Sequence, residues 1–416
     1  MRSCGASPYP GFAAAPPAAY LAGAGPSEPA SALKLLHTAD WHVGRTLRGR
    51  SRADEHRAVL DEIVRVARDE VVDLVIVAGD LFDVSAPTPE AEAIVYRALL
   101  GLAATGTDVV VIAGNHDHPQ RLAAVRPLLD LTRVRTAATV ARPDEGGVVD
   151  IRTRSGARAR IALLPFLTQR GIVGADALMA GDAADHVQAY ADRFGRLLDR
   201  LCAGFDDRFI NIVVAHATLV GAVGGGGERE AHMVAEYHVS SAVFPSSAHY
   251  VALGHVHRMQ RVHGACPIWY AGAPLQLDFG ESGYEPGVLL VEAEPSLPAT
   301  VREIPLTSGR RLRTLRGTLE TLAPLASTVG EDYLRVILTE PHRTGLADEA
   351  RALFPNAVDV RVARDEASGA DAAAWTLEQV RRSPVELFAE FLAEKAVRDT
   401  EVTALFAELL EADVAT

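Results

Sequence analysis

Short apolar runs, each closed by Asp, His, Asn or Gly, set the rhythm of this chain. Residues 33–36, 74–77, 109–112, 209–214 and 250–253 are too brief for helices, and most are rich in β-branched side chains. Such runs read as strands buried on both faces, in a mostly parallel sheet with helices between strands. The intervening pattern agrees. Val59, Ile63 and Val66 or Ala67 recur at helical spacing, with Ser51 and Asp54 placed as a capping box. Pro87 and Pro89 open a helix through 91–102 that Gly106 closes, and Pro119 opens another. Alternation from 136 to 161 predicts antiparallel strands at a sheet edge, with 144–147 as their turn, and 168–201 reads as helix with Tyr190, Phe194, Leu197 and Leu198 on one face.

Each run ends on polar residues: Asp40-Trp41-His42, Gly79-Asp80-Leu81-Phe82-Asp83, Gly114-Asn115-His116-Asp117, His216, and Gly254-His255-Val256-His257. Ligands of open α/β sheets sit beyond the carboxyl ends of the strands, where these residues fall. Carboxylate, imidazole and amide oxygen without thiolate suit Mn, Fe(II) or Zn, and so many candidate ligands suggest a two-ion site.

Past residue 285 the polar clusters stop. Strands are expected at 287–294, 301–306, 333–338 and 357–362, with a helix at 346–354, which makes 285–366 a small α+β module behind a main domain at 33–284. A small-residue linker (367–382) leads to Ser383-Pro384-Val385-Glu386, a helix start, and to an amphipathic helical tail, 383–416. Leu387, Phe388, Phe391 and Leu392 form its first apolar stripe, which either packs on its own domain or enters a partner's groove. Residues 1–32 are mostly Ala, Gly, Pro and Ser, expected to be a disordered leader or an over-extended start, with translation beginning at Leu33. Pro10, Pro16 and Pro17 interrupt any secretory h-region.

At 416 residues and 48% hydrophobic content the chain has room for two domains, and no apolar run approaches the roughly 20 residues that span a bilayer. Cys4, Cys202 and Cys266 lack metal or disulfide-framework spacing, which fits a reducing cytosol. The net charge of -13 argues against wrapping DNA by bulk electrostatics, so a nuclease would need ions, a partner and local basic patches. Arg45, Arg48, Arg50 and Arg52 supply one beside Asp40, and the first three are candidate phosphate contacts. Residues 221–227 are glycine-rich without the Lys-Ser/Thr of a phosphate-binding P-loop, and read as a flexible excursion or a segment that orders when DNA enters.

Taken in order, the Asp-x-His, Gly-Asp-x-x-Asp, Gly-Asn-His-Asp, His and Gly-His-x-His clusters resemble the calcineurin-like metallophosphoesterase superfamily. The stretches His37-Thr-Ala-Asp-Trp-His-Val-Gly44, Glu228-Arg-Glu230 and Ala271-Gly-Ala-Pro-Leu-Gln-Leu-Asp-Phe-Gly-Glu281 are similar to the SbcD family, nuclease subunits of bacterial SbcCD complexes. The resemblance runs from about residue 33 to the C-terminus. It implies an α/β fold with a β-sandwich flanked by helices, a cap that steers DNA, and a tail that docks on the SbcC ATPase. It further implies a cytoplasmic, nucleoid-associated nuclease homodimer within a heterotetramer, without a membrane anchor. The implied activity is 3'-to-5' exonuclease on double-stranded DNA ends and endonuclease on hairpins and single strands, in DNA repair, recombination and replication, with two Mn ions or with Mg or Fe(II) instead.

By the same resemblance Asp40, His42 and His257 hold one ion, Asn115, His216 and His255 the other, and Asp80 bridges them. His116 contacts the phosphate and protonates the leaving oxygen, oriented by Asp83 or Asp117. The same cage serves phosphodiesterases and phosphatases for nucleotides or phosphoproteins, and a metal-free scaffold is the binding-class alternative.

Overall fold

The first apolar run forms β1 (Leu33–Thr38), followed by a tight hairpin of β2 (Thr46–Leu47) and β3 (Arg50–Ser51). Helix α1 (Ala53–Asp69), β4 (Leu74–Val77), α2 (Pro89–Ala104), β5 (Asp108–Ile112), α3 (Pro119–Leu129) and β6 (Val134–Ala137) continue a parallel arrangement. Crossing to a second sheet, the chain lays down β7 (Val148–Arg152), β8 (Arg158–Leu164), α4 (Tyr190–Cys202) and β9 (Ile210–His216). The short pair β10 (Thr218–Leu219) and β11 (His238–Val239) precedes β12 (Tyr250–Gly254), β13 (Gln260–Val262) and β14 (Ile268–Tyr270). Then come β15 (Gly287–Ala293) and β16 (Thr300–Pro305), and last a module of β17 (Leu312–Gly317), α5 (Leu319–Leu322), β18 (Tyr333–Leu338), α6 (Leu346–Leu353) and β19 (Ala357–Val362).

This computed structural model describes residues 32–154, 156–168, 190–228, 238–295 and 297–363, and positions 388, 392, 402, 405 and 406. The expected leader apart from Ala32, the expected linker, the expected helix start at 383–386, Leu387 and Phe391 of the tail, and 169–189 of the expected helix lie outside them. Of the tail's stripe, the Phe388 ring stacks on that of Phe406 with centroids 4.0 Å apart. Among the described residues no helix is long and apolar enough to cross a membrane.

Two six-stranded sheets, ordered β16-β15-β1-β4-β5-β6 and β13-β14-β12-β9-β8-β7, pack face to face. Alternation explains the continuous apolar runs. Leu35, Ile76, Ile112, Ile212 and Val214 point between the sheets. Their neighbours Leu36, Val75, Val77 and Val111 pack under the helices, with Val59 and Ile63 of α1 and Val95 and Leu99 of α2. On the other sheet Val213 and Val251 meet Phe194, Leu197 and Leu198 of α4. The result is a helix–sheet–sheet–helix sandwich whose parallel central strands bring their carboxyl ends to one edge.

Some expectations need correction. Helix α1 begins one residue after Arg52, with no side-chain cap; Ser51 Oγ accepts the Ala53 N–H at 3.3 Å and Asp54 pairs with Arg57, so the spacing does not make a capping box. The turn at 144–147 precedes β7 instead of joining an antiparallel pair, because β6 belongs to the first sheet and β7 to the second. Most consequentially, β15 and β16 extend the first sheet, β15 pairing antiparallel with β1 from Leu33↔Ala293 to His37↔Leu289. The separate three-stranded parallel sheet therefore starts at β17, not at residue 285. Strand β17 is hidden in the sequence because its arginines alternate with Leu312 and Leu315, which are buried against different partners. Leu315 packs with Leu334, Val336, Leu346 and Phe354 under the module's helices, while Leu312 and Tyr333 meet Leu47 and Phe279 of the sandwich.

Candidate metal centre

Each ligand candidate stands where a central strand ends. The loop after β1 is laid along the loop after β4 by N–H donations from Asp40 to Gly79 O, His42 to Asp80 O and Val43 to Leu81 O, each 3.0 Å. Asp40, His42, Asp80 and His255 all take positive φ (54°, 44°, 53° and 95°), a backbone that non-glycine residues rarely adopt and that costs roughly 1–3 kcal/mol each. The bend turns their side chains inward. Gly79 and Gly114 make that turn feasible: a Cβ on Gly79 would overlap the His216 ring and the Gly114 backbone, and one on Gly114 would overlap the Asp80 carboxylate.

Asp80 Oδ2 lies 3.5 Å from His42 Nε2 and 3.4 Å from His216 Nε2, while its Oδ1 accepts the His116 N–H at 2.8 Å. Asn115 Oδ1 sits 2.9 Å from His216 Nε2 and 2.8 Å from His255 Nδ1. Asp40 Oδ1 accepts the His255 N–H at 2.9 Å. The rings of His42 and His257 are 4.7 Å apart and those of His216 and His255 5.1 Å. Ligand atoms of Asp40, His42 and Asp80 fall within 4.8 Å of one another, as do those of Asp80, His216 and His255.

This donor set fits divalent cations. Asp40 Oδ2 and both ring nitrogens of His42 are buried without a hydrogen-bond partner, a cost of several kcal/mol that a cation would remove. His216 Nδ1 must donate to the Ala78 carbonyl at 2.8 Å, so in the neutral ring its Nε2 lone pair faces the oxygens of Asp80 and Asn115. Acceptors aimed at one another need a positive charge between them. Without ions, protons take that place. Burial would lower His216, yet the Asp80 charge lifts it to about 9, and His257 is lifted against its burial to about 9 by Glu281. His42 is pushed down to about 3 by burial and by His116, and burial lifts Asp40 to about 7. Asp80 stays well below the usual carboxylate range because His216 and His116 outweigh its burial.

His116 Nδ1 donates to the backbone carbonyl of Asp83 at 2.6 Å, which leaves Nε2 to exchange a proton. Asp83 thus holds His116 through its main chain, while its carboxylate pairs with Arg45 at 3.0 Å and stands 3.6 Å from His42 Nδ1. Asp117 has another task than orienting His116. Its oxygens accept the N–H groups of Leu81 (3.2 Å), Phe82 (3.1 Å) and Gly114 (2.9 Å), tying the loops after β4 and β5 together. Of the basic patch, Arg45 is engaged by Asp83, Arg48 by Asp359 of β19 at 3.2 Å, and Arg50 is exposed. In the glycine-rich loop, Gly225, Gly226 and Gly227 donate their N–H groups to the Glu228 carboxylate.

Sequence reasoning misses the residues behind the ligands. Glu281 Oε1 accepts from His257 Nδ1 at 2.8 Å, Glu228 Oε1 accepts the His257 N–H at 3.0 Å, and the Phe166 ring stacks on His255 with centroids 5.8 Å apart. A glutamate in the apolar stretch after residue 271 was the available signal.

Residues 33–259 match the calcineurin-like phosphoesterase family, and residues 308–396 match a family described as the type 5 capsule protein repressor C-terminal domain. The SbcD protein of the SbcCD nuclease from Bacillus subtilis is 34% identical over 284 residues, 67% of this chain and 71% of that protein. Its counterpart from Rhodobacter capsulatus is 35% identical over 337 residues, 78% of each chain. The chain belongs to the SbcD family. A third SbcD relative, from Escherichia coli K12, is 30% identical over 293 residues, covering 70% of this chain and 72% of that one. The second matched segment begins between β16 and β17, where the three-stranded sheet takes over from the SbcD sandwich.

Proposed function

We propose that this chain is the nuclease subunit of an SbcCD-type complex, hydrolysing phosphodiesters at the ends and hairpins of double-stranded DNA with two divalent ions, manganese first among the candidates. One observation carries the two-ion reading: Asp80 Oδ2 stands nearly equidistant from His42 Nε2 and His216 Nε2, so one carboxylate faces both ligand groups. Asp40, His42 and His257 would hold one ion, and Asn115, His216 and His255 the other. Two such ions supply a nucleophile at neutral pH and neutralise charge on the phosphate under attack.

The chain's own residues do the rest. The Asp83 carbonyl fixes the His116 tautomer, so a protonated His116 presents Nε2–H to the departing sugar oxygen and gives up that proton as the bond breaks. Phe166 walls the His216 and His255 side of the site with an apolar ring. Arg50, exposed and without an ion pair among the described residues, would be the member of the basic patch that meets a DNA phosphate. The module from β17 onward would act as the cap, held to the sandwich by the Arg48–Asp359 pair and the Leu47–Phe279–Leu312–Tyr333 contact. Residues 383–416, which include the stacked Phe388 and Phe406, would carry the SbcC contact.

The test is cleavage of an end-labelled duplex and of a hairpin by the purified chain in manganese, with and without SbcC and ATP, beside His116→Ala. Cutting that depends on His116 and rises with SbcC is expected. Hydrolysis of a small phosphodiester with no cutting of either DNA would put the chain among nucleotide phosphodiesterases instead.

A further inference from the structure

His257 is gripped from behind by a chain of buried contacts that leads to the three-stranded module. The Glu281 carboxylate, almost fully buried, uses one oxygen on His257 Nδ1 at 2.8 Å and the other on the Leu277 N–H at 2.6 Å. A carboxylate only accepts, so Nδ1 carries the hydrogen, and in the neutral ring Nε2 keeps the lone pair that a cation would take. Gly227 packs so tightly here that a Cβ would overlap both Glu281 Oε1 and the His257 ring.

The turn that carries Glu281 is itself clamped by Gln276, which is also buried. Its amide nitrogen donates to the Glu281 carbonyl at 3.1 Å and the Tyr284 carbonyl at 2.8 Å, and its amide oxygen accepts the Leu312 N–H at 2.7 Å. Leu312 is the first residue of β17. The buried Arg52 guanidinium donates to the Gln276 carbonyl and pairs with Glu55, whose carboxylate also accepts the Arg310 N–H at 3.2 Å. Leu312 thus reaches the segment that orients His257 directly, and Arg310, just ahead of β17, reaches it through Glu55 and Arg52.

We propose that Glu281 is a positioning residue that sets the tautomer and ring angle of His257, and that Gln276 makes this setting depend on the seating of β17. The proposal rests on His257 being an ion ligand, as in the function proposed above. Carboxylates behind a metal-binding histidine commonly change ion affinity about 10–100-fold when lost. In Glu281→Gln the His257 N–H and the Leu277 N–H compete for one oxygen. Gln276→Met keeps the volume, removes the link to Leu312 and touches no ligand.

Manganese binding to the full chain, followed by calorimetric titration and by the electron paramagnetic resonance signal of coupled ions, reads this directly. Thermal unfolding in chelator establishes that each variant is folded. Wild type is expected to take two ions, and Asp80→Ala to lose the coupled signal. Glu281→Gln should weaken one ion about 10–100-fold while the other holds, and Gln276→Met should weaken the same ion by a smaller factor. Two ions in wild type, lost in Asp80→Ala but bound with unchanged affinity by folded Glu281→Gln, would overturn the positioning role alone. Unchanged affinity in Gln276→Met would overturn the link to β17. A wild-type chain without a second ion would overturn the two-ion reading and the positioning role together.

Discussion

Replacing Asp117 by Asn separates a structural role from a catalytic one. The ionised carboxylate accepts three backbone N–H groups, from Leu81, Phe82 and Gly114, and no donor on the side chain is called for. In Asn one of the two oxygens becomes a donor, so at least one buried N–H loses its partner, at about 1.5–3 kcal/mol for a hydrogen bond to a charged group. A second effect opposes this. Burial and the neighbouring Asp80 charge lift the Asp117 carboxyl to about 6 from 3.8, so holding it ionised at pH 7 costs about 3 kcal/mol at 1.36 kcal/mol per unit. Asn removes that cost. Ions beside Asp80 compensate its charge and remove that part of the relief, while the part owed to burial remains. Asp117→Asn should therefore be within about 1 kcal/mol of wild type in chelator, and, since the burial part of the relief persists, destabilised by at most about 1.5 kcal/mol in manganese. By calorimetry that is a Tm deficit of up to about 3 °C that grows when the ions are added, if 1 kcal/mol moves Tm about 2 °C at this size. A fall in kcat of a hundredfold or more at unchanged Tm in manganese would refute the reasoning and return Asp117 to the catalytic set.

Acid should destabilise the metal-free chain through His37, whose pKa is lowered from 6.5 to about 3 by burial. The unfolded state takes up a proton that the folded state refuses, so its contribution is full above pH 6.5 and is lost as pH falls toward 3, at about 1.4 kcal/mol per pH unit; the slope in His37→Gln should be smaller by one proton, and an unchanged slope would count against it. Gly79→Ala sets a Cβ against the His216 ring at φ +94°, and should cost at least about 1–2 kcal/mol and weaken manganese binding more than tenfold; a titration indistinguishable from wild type would sink that account of the turn. Chelation should lower Tm, and manganese at 100 times its Kd should restore about 2.7 kcal/mol, which unfolding measured across a manganese series would reveal as a concentration-dependent Tm.

What can be read in the sequence follows from where information is local. Strands β1, β4, β5, β9 and β12 are buried on both faces, so each is an apolar run, and each ligand comes immediately after one. Thr88 accepting the Ala91 N–H ahead of α2 is equally local. The membership of β15 and β16 is not legible there, because their apolar pattern suits any sheet and only pairing with β1 decides. Asp117 misleads for a related reason: its position beside His116 in sequence says nothing of the loop after β4, to which its oxygens turn. Glu281 and Gln276 lie in a stretch that stands out by its likeness to a family, yet their task depends on His257 and Leu312, 24 and 36 residues away.

The cage also explains why so much strain is tolerated at one edge. Asp40 and His42 come from the first sheet and His257 from the second; Asn115 comes from the first sheet, His216 and His255 from the second. Each proposed ion would therefore join the two halves of the sandwich, with Asp80 shared between them. The left-handed backbone at Asp40, His42, Asp80 and His255 can persist because parallel pairing holds β1, β4, β9 and β12 up to the residues before the bend, with Gly254 opposite His216 in the register. Relaxing any one of these bends would turn a ligand out of the cage while leaving the strand pairing intact. In this arrangement the sheets fix where the candidate ligands begin, the bends fix where they point, and contacts such as Glu281 on His257 would fix which nitrogen faces a bound ion.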